Sequence, residues 1–292
     1  MTASIEPKLR HVALGGIIAI LAASAIVAQP PANTPHYIGL TYIQTLPGKA
    51  ADYRKFLETD AVKLAQAGVD DGGADAVYML RLTAPYTTGS DYDYAQVVWY
   101  KDKPPLATTP RSVWEARAKK AGFANYQEFL DKRNALSKAV RSAWRTSIAH
   151  VGDLHVGNYT RAVSVKVDPE YRTDVLRFIE TYTMSIAQSR MSAGQSANFG
   201  LSRPAALTTS DDEAGYSFSV AESFKDSDAL LSGPGAMTPE RFSKIFPGKN
   251  YATYINEQAR LAPHRHNVTT RISEVVTLVG KLPVVTPAPV TP

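Results

Sequence analysis

The chain has 292 residues, 44% of them hydrophobic and 20% charged, the composition of a folded globular protein rather than a low-complexity one. It contains no cysteine, which excludes disulfides, thiol catalysis, thiolate metal sites and iron–sulfur clusters. The net charge of +5 is spread along the chain without a lysine or arginine cluster, so no nucleic-acid partner is expected.

At the N-terminus Lys8, Arg10 and His11 precede an uncharged apolar run, Val12 to Ala28, which closes in small residues before the polar, proline-rich QPPANTP. This is the layout of a signal peptide over residues 1–28, cut after Ala28, and it predicts an exported protein, periplasmic or extracellular in a bacterium. The competing reading is an uncleaved anchor. The run is at the short end of the roughly 17–25 residues that span a bilayer. It also contains Gly15-Gly16. Contact with a membrane is expected only if this segment is retained.

Beyond it, HYIGLTYIQTL reads as a strand from its β-branched and aromatic residues. PGKAADYRKFLET then opens a helix, with Tyr53, Phe56, Leu57 and Leu64 at helical spacing and Gly72 near its end. AVYMLRL and YDYAQVVWY are two further strands. KDKPPLATTPRSVWEARAKKAG is a basic, amphipathic insertion, and NYQEFLDKRNALSK is a second helix. AVRSAWRTSIAHV closes the series as a strand or, given its Ala, Arg and Ser, a helix.

The series then repeats. Pro47, Asp52, Phe56, Glu58 and Thr59 recur as Pro169, Asp174, Phe178, Glu180 and Thr181, at a constant offset (178 − 56 = 122). Gly72 and Arg81 recur as Gly194 and Arg203, and Val140, Ile148 and Gly152 correspond to Val268, Val276 and Gly280. So many matches in order indicate a duplication. The expected units are 36–152 and 158–280, followed by an extended, disordered, proline-rich tail over 281–292.

Each unit has the order βαββαβ, the split-βαβ or ferredoxin-like arrangement. Its helices cover one sheet face. The other face, to which Tyr92, Tyr94, Val98 and Tyr100 are assigned, must be buried by the second sheet. The expected fold class is α+β: two tandem ferredoxin-like units packed sheet to sheet as an intrachain α+β barrel.

With that topology and duplication, the sequence resembles the dimeric α+β barrel superfamily, particularly exported bacterial proteins with two such modules in tandem. The resemblance covers nearly the whole mature chain and carries no catalytic signature of one family. It implies an interior cavity. The superfamily's activities include haem-dependent peroxidases and chlorite-decomposing enzymes, haem-degrading and quinol monooxygenases, lactone isomerases, polyketide cyclases and regulatory ligand-binding domains.

The expected function is therefore binding of a small anionic or aromatic molecule inside the barrel. The alternatives are a cofactor-independent monooxygenase or isomerase, a haem-binding protein, and a non-catalytic scaffold; enzymatic activity is left open. Arg81 and Arg203, at matching strand positions, are candidate anion clamps, or else structural partners of nearby acids. Glu222 is a candidate general base, or a buried partner of Arg203. Trp99, Trp144 and the tyrosines, Tyr94 among them, are candidates to line a pocket for a flat aromatic ligand, or else core packing. His264 and His266, two apart, have metal-ligand spacing but no third ligand at fixed spacing, so no metal is expected. His150 and His264 are the candidate haem ligands that the resemblance allows. No cofactor is the expected state, with haem the main alternative, and a homo-oligomer is an open possibility.

Overall fold

The computed structural model describes residues 36–83, 91–100, 109–205, 215–233 and 235–286. The expected signal segment, the start of the basic insertion and the end of the tail lie outside the described residues.

Stretches rich in Val, Ile, Tyr and Phe form eight strands, since branched and aromatic side chains fit a pleated, buried surface. The first half comprises β1 (Tyr37–Thr45), β2 (Ala76–Leu82), β3 (Tyr94–Tyr100) and β4 (Ser137–Gly152). The second comprises β5 (Tyr159–Val167), β6 (Asn198–Pro204), β7 (Phe218–Phe224) and β8 (Arg265–Gly280). All neighbours are antiparallel, in the closed order β1-β3-β2-β8-β5-β7-β6-β4. Closure removes every sheet edge. The segment that could have been a helix is the 16-residue strand β4.

Between β1 and β2 run α1 (Ala50–Phe56), a π-helical turn (Leu57–Ala61) and α2 (Val62–Asp70). Their counterparts between β5 and β6 are α5 (Arg172–Phe178), the π turn Ile179–Thr183 and α6 (Met184–Ser192). The π turn recurs at the same offset as the strand starts (159 − 37 = 122 and 179 − 57 = 122). In the first half, α3 (Arg111–Lys120) and α4 (Tyr126–Asn134) precede β4. In the second, α7 (Ser227–Ser232), α8 (Pro239–Ile245) and α9 (Tyr251–Leu261) precede β8. Asn125 and Asn250 cap α4 and α9, their side-chain oxygens accepting backbone N–H groups of the first turn. In α8, Thr238 does the same and Pro239 stands where a missing N–H costs nothing.

The helices of both halves cover the outside of the barrel. Tyr94 packs edge-on against Tyr53 of α1 at 5.1 Å, and Val98 and Tyr100 also face the helices. This reverses the expected assignment for these three residues, whereas Tyr92, just before the strand, packs inside the barrel against Tyr42 at 4.6 Å. Inside the barrel are Ala95, Val97 and Trp99. Both faces of β3 are buried, so its alternation carries no polar side to tell inward from outward.

The two inner walls differ in size. The first half contributes Ile38, Leu40, Tyr42, Tyr78, Leu80, Val97 and Trp99. The register aligns Asn198, Ser223, Thr160 and Ser273 in one row of the second half. Ser202, Ser219 and Ser164 form another, with Gly200, Ala221 and Ala162 between them. Large side chains from one wall therefore project toward small ones on the other, which fills a small barrel. The hydroxyls pair across strands, Thr160 with Ser223 at 2.9 Å and Ser164 with Ser219 at 3.3 Å, so burying them leaves few orphan groups.

Two equivalent glycines make the seams between halves. Gly152 ends β4 with φ 88°, and a Cβ there would lie 2.3 Å from the carbonyl oxygen of Ala197. Gly280 ends β8 with φ 79°, and its Cβ would lie 2.1 Å from the oxygen of Asp75. The chain after β8 does not leave the molecule at once. Leu282 is buried beside Trp99 and Leu154, and Val285 pairs with His150 through two backbone hydrogen bonds of 2.9 Å. The expected unpacked tail is thus anchored through its first residues, 281–286.

Candidate functional site

A cavity of about 400 Å³ lies between the first half's sheet and its helices, outside the closed barrel. Ligand binding was expected in the barrel interior; that space is occupied by the side chains of the two walls, whereas this one is not.

The cavity floor is two cross-strand rows. One is Met79–Gln96–Thr41–Ser142 and the next is Val77–Val98–Gly39–Trp144, and all eight residues line the cavity. Gly39 is closely packed: a Cβ there would come 3.2 Å from the Trp144 ring and 3.3 Å from Tyr100, so those rings would have to shift by a few tenths of an ångström. Its absence of a side chain lets those rings meet at 5.6 Å. The roof is the Leu57–Ala61 π turn, Leu64 and Gly68, with Trp114 of α3 and Tyr126 and Phe129 of α4. Trp114 stacks on Tyr126 at 5.1 Å, and Phe129 on Phe56 at 5.3 Å.

One end is shut by Arg117, which is buried, donates to both carboxylate oxygens of Asp71 (2.7 and 2.9 Å) and covers the Trp114 ring at 4.9 Å. The guanidinium in turn holds the Asp71 carboxyl below its usual pKa. Burial pushes the Tyr53 phenol up to about 12, so it remains a hydrogen-bond donor at neutral pH.

The equivalent region of the second half has the same strand pairing but carries bulkier and charged side chains. The row Gln96–Thr41–Ser142 is replaced by Val220–Val163–Thr270, and Val98–Gly39–Trp144 by Glu222–Arg161–Ile272. Gly68 is replaced by Arg190, one repeat on (190 − 68 = 122). Arg190 reaches from α6 to Glu222 (3.1 and 3.3 Å), which also accepts from Arg161 at 3.3 Å. Two arginines and a glutamate thus stand where the first half has two glycines and a valine. Above them Tyr182, Phe242, Phe246 and Tyr254 form one aromatic cluster, with Phe242 fully buried.

Of the ligand candidates read from the sequence, Trp144 lines the cavity, while Arg81, Arg203, Tyr94 and Trp99 do not. Arg81 forms an ion pair with Glu274, which also lies 3.6 Å from Arg54. Arg203 is exposed on β6. The expected Glu222–Arg203 pair is not formed; Glu222 is held by Arg161 and Arg190, because Arg203 lies at the other end of β6 from Phe199, the neighbour of Glu222. That ion pairing gives Glu222 a structural environment rather than that of a poised base. Tyr94 lies just beyond the lining, against Tyr53, and Trp99 faces the barrel interior.

The histidines are engaged elsewhere. His150 is buried with Nδ1 2.6 Å from the carbonyl oxygen of Pro283 and Nε2 2.6 Å from the Asn198 amide nitrogen. Nδ1 therefore donates and Nε2 accepts, and desolvation lowers the imidazole pKa. His264 Nδ1 lies 2.8 Å and His266 Nε2 3.4 Å from the two oxygens of Asp168, and the His264 ring stacks on Tyr171 at 3.5 Å. Neither His150 nor His264 presents an uncommitted ring in the cavity, so these candidates do not fit as axial haem ligands. Among the described residues no group of three His, Asp or Glu side chains is arranged to hold a metal ion. Sequence reasoning missed Thr41, Gln96, Ser142, Trp114 and Arg117; the available signal was the mismatch between repeats, polar or glycine against apolar or charged.

Comparison with protein-family models found no match, and neither did comparison with curated proteins. Among solved structures, a provisionally assigned monooxygenase from Fusobacterium nucleatum subsp. nucleatum is 13% identical with a TM-score of 0.49, covering 85% of this chain and 96% of that one. A second protein so assigned, from Lactobacillus acidophilus, is 10% identical with a TM-score of 0.49, covering 86% and 99%. An anthrone oxidase-like protein is 9% identical with a TM-score of 0.47, covering 85% and 93%. The architecture is an α+β barrel made of two ferredoxin-like units in one chain. The site within it is an aromatic-walled chamber in the first unit.

Proposed function

We propose that this protein binds a flat aromatic small molecule in the cavity over the first sheet. The observation that carries this reading is the asymmetry between the halves. Gly39, Gly68 and Val98 leave a chamber where Arg161, Arg190 and Glu222 close it. Its walls are Tyr53, Tyr100, Trp114, Tyr126, Phe129 and Trp144, and its floor carries the polar row Gln96–Thr41–Ser142. An apolar, aromatic enclosure with a few convergent polar groups is the usual make-up of a small-molecule site, and its volume is within the usual range. The rings supply stacking area, while the row can fix the orientation of a hydroxyl or carbonyl group.

The test is titration of the mature chain with 2-naphthol, read by tryptophan fluorescence. Trp114 and Trp144 line the cavity, while Trp99 inside the barrel is a reference. Quenching should be abolished in the variant G68R/V98E, which carries the second half's arginine and glutamate at those positions. Unchanged quenching in that variant would overturn the proposal.

The proposal includes export. Its support is the basic residues Lys8, Arg10 and His11 ahead of the apolar run from Val12 to Ala28. Intact mass of the protein made with its own N-terminus in a bacterial host should correspond to a chain starting at Gln29. A full-length mass in the cytosolic fraction would refute it.

A further inference from the structure

The cavity's electrostatics are one-sided. Among the described residues no carboxylate lines it, whereas Arg117 and Arg133 do. Arg117 is matched by Asp71. Arg133, on α4, is not matched by an acid in any described ion pair. Its Nε and Nη2 donate instead to the neighbouring Asn134 side-chain oxygen at 3.2 and 3.0 Å, a neutral acceptor that leaves the charge in place. The arginine is half-buried while Lys132 and Asn134 on either side of it are exposed. Its position beside the chamber is also felt by two wall residues. Burial raises the pKa of both Tyr53 and Tyr126, and the positive charge of Arg133 acts against that rise in each. Both phenols remain protonated at neutral pH and able to donate.

We infer, resting on the aromatic-site reading above, that the ligand is an aromatic carboxylate whose anionic group is held by Arg133 at the α4 side of the cavity. A guanidinium is a planar fork that matches a carboxylate through two parallel N–H···O bonds, and its charge is retained at any working pH. Nη1 of Arg133 takes part in no described hydrogen bond, and the exposed Asn134 amide is an acceptor that a carboxylate displaces at little cost. An acid in the lining would oppose such a ligand, and there is none. The polar row on the floor then lies under the ring system, placed to meet a second, uncharged oxygen substituent.

The test compares 2-naphthoate with 2-naphthol at pH 7 on the mature protein and its R133Q and R133K variants, by isothermal titration calorimetry. Wild type should prefer naphthoate, by about 10- to 100-fold, the range of a charge-assisted hydrogen-bond pair. R133Q should erase that preference by weakening naphthoate alone, and R133K should restore part of it. Equal affinities for both probes in the wild type, or an R133Q effect that is the same for both or absent, would overturn the anchor. Binding of both probes that is lost in G68R/V98E while naphthoate, like naphthol, is indifferent to R133Q would leave the aromatic site standing without the anchor. Failure of both probes to bind would overturn both readings.

Discussion

The closure of the second half can be measured through Glu222. Its side chain is 6% exposed and shared by Arg190, 21% exposed, and Arg161, 37% exposed. Glu222→Gln keeps the shape and removes the charge, so two guanidinium groups remain near each other without a counter-ion. A hydrogen bond to a charged group contributes about 1.5–3 kcal/mol. We apply that range to Arg190. Arg161, more than a third exposed, is screened and adds about 0.5 kcal/mol. E222Q should then cost about 2–3.5 kcal/mol, read as a lower urea midpoint at unchanged slope, with circular dichroism and fluorescence transitions coinciding. R190M also breaks the pair, but R190M/E222Q leaves neither a buried anion nor the closer cation. The double variant should therefore cost less than the sum of the singles, by about 1–3 kcal/mol. Additive costs, or an E222Q midpoint equal to wild type, would refute the claim that this ion cluster holds the second half shut.

Two other outcomes follow from the structure. Folding lowers the pKa of His150 by burial, so the neutral ring is favoured in the native state. The stability this contributes is complete above the unfolded pKa of about 6.5 and is lost as pH falls through the lower folded value. Melting temperatures should drop on acidification from pH 7 to 5 and drop less in His150→Gln; parallel curves would count against it. At the seams, Gly152→Ala and Gly280→Ala force a Cβ to within 2.3 and 2.1 Å of a carbonyl oxygen at positive φ. Each should cost at least about 2 kcal/mol in chemical denaturation. Gly72→Ala, with positive φ and open space around it, should cost only about 1 kcal/mol.

The strands and the paired helices were legible because each carries its own local signal. AVYMLRL is β2 from end to end, and the phrase at Pro47 contains α1. Which way β3 faces was not legible, since Val97 inside and Val98 outside are equally apolar. Partner choice for buried charges was equally hidden. Arg203 and Glu222 sit on neighbouring strands of one sheet, yet register puts Glu222 beside Arg161 and under Arg190. Register is set by the whole set of strand pairings and cannot be inferred from two residues considered alone. α8 escaped although it holds in the second half the place that α3 holds in the first, just before the Asn-capped helix, and although Thr238-Pro239 is a helix-start signal in its own right.

The repeat itself held more of the site than its likenesses suggested. Matching residues such as Phe56 and Phe178 mark the shared scaffold, and scaffold positions say nothing of which copy is hollow. The unlike pairs do. A glycine set against arginine twice, at 39 with 161 and 68 with 190, together with Val98 set against Glu222, describes three side chains that meet in one copy and are missing from the other. Each substitution read alone is a tolerable surface exchange. Placed on the common register they converge, because residues 39 and 98 are cross-strand neighbours and 68 is on the helix above them. One copy can be filled with charge only if the charges neutralise each other, which is why the arginines and the glutamate occur together. The other copy can remain open only if no member of the triad is present, since a glutamate alone at position 98, or an arginine alone at position 68, would be a buried, unpaired charge. The chamber is therefore a property of all three positions at once, and introducing any one of the second half's residues alone should destabilise the first half more than introducing the pair G68R/V98E.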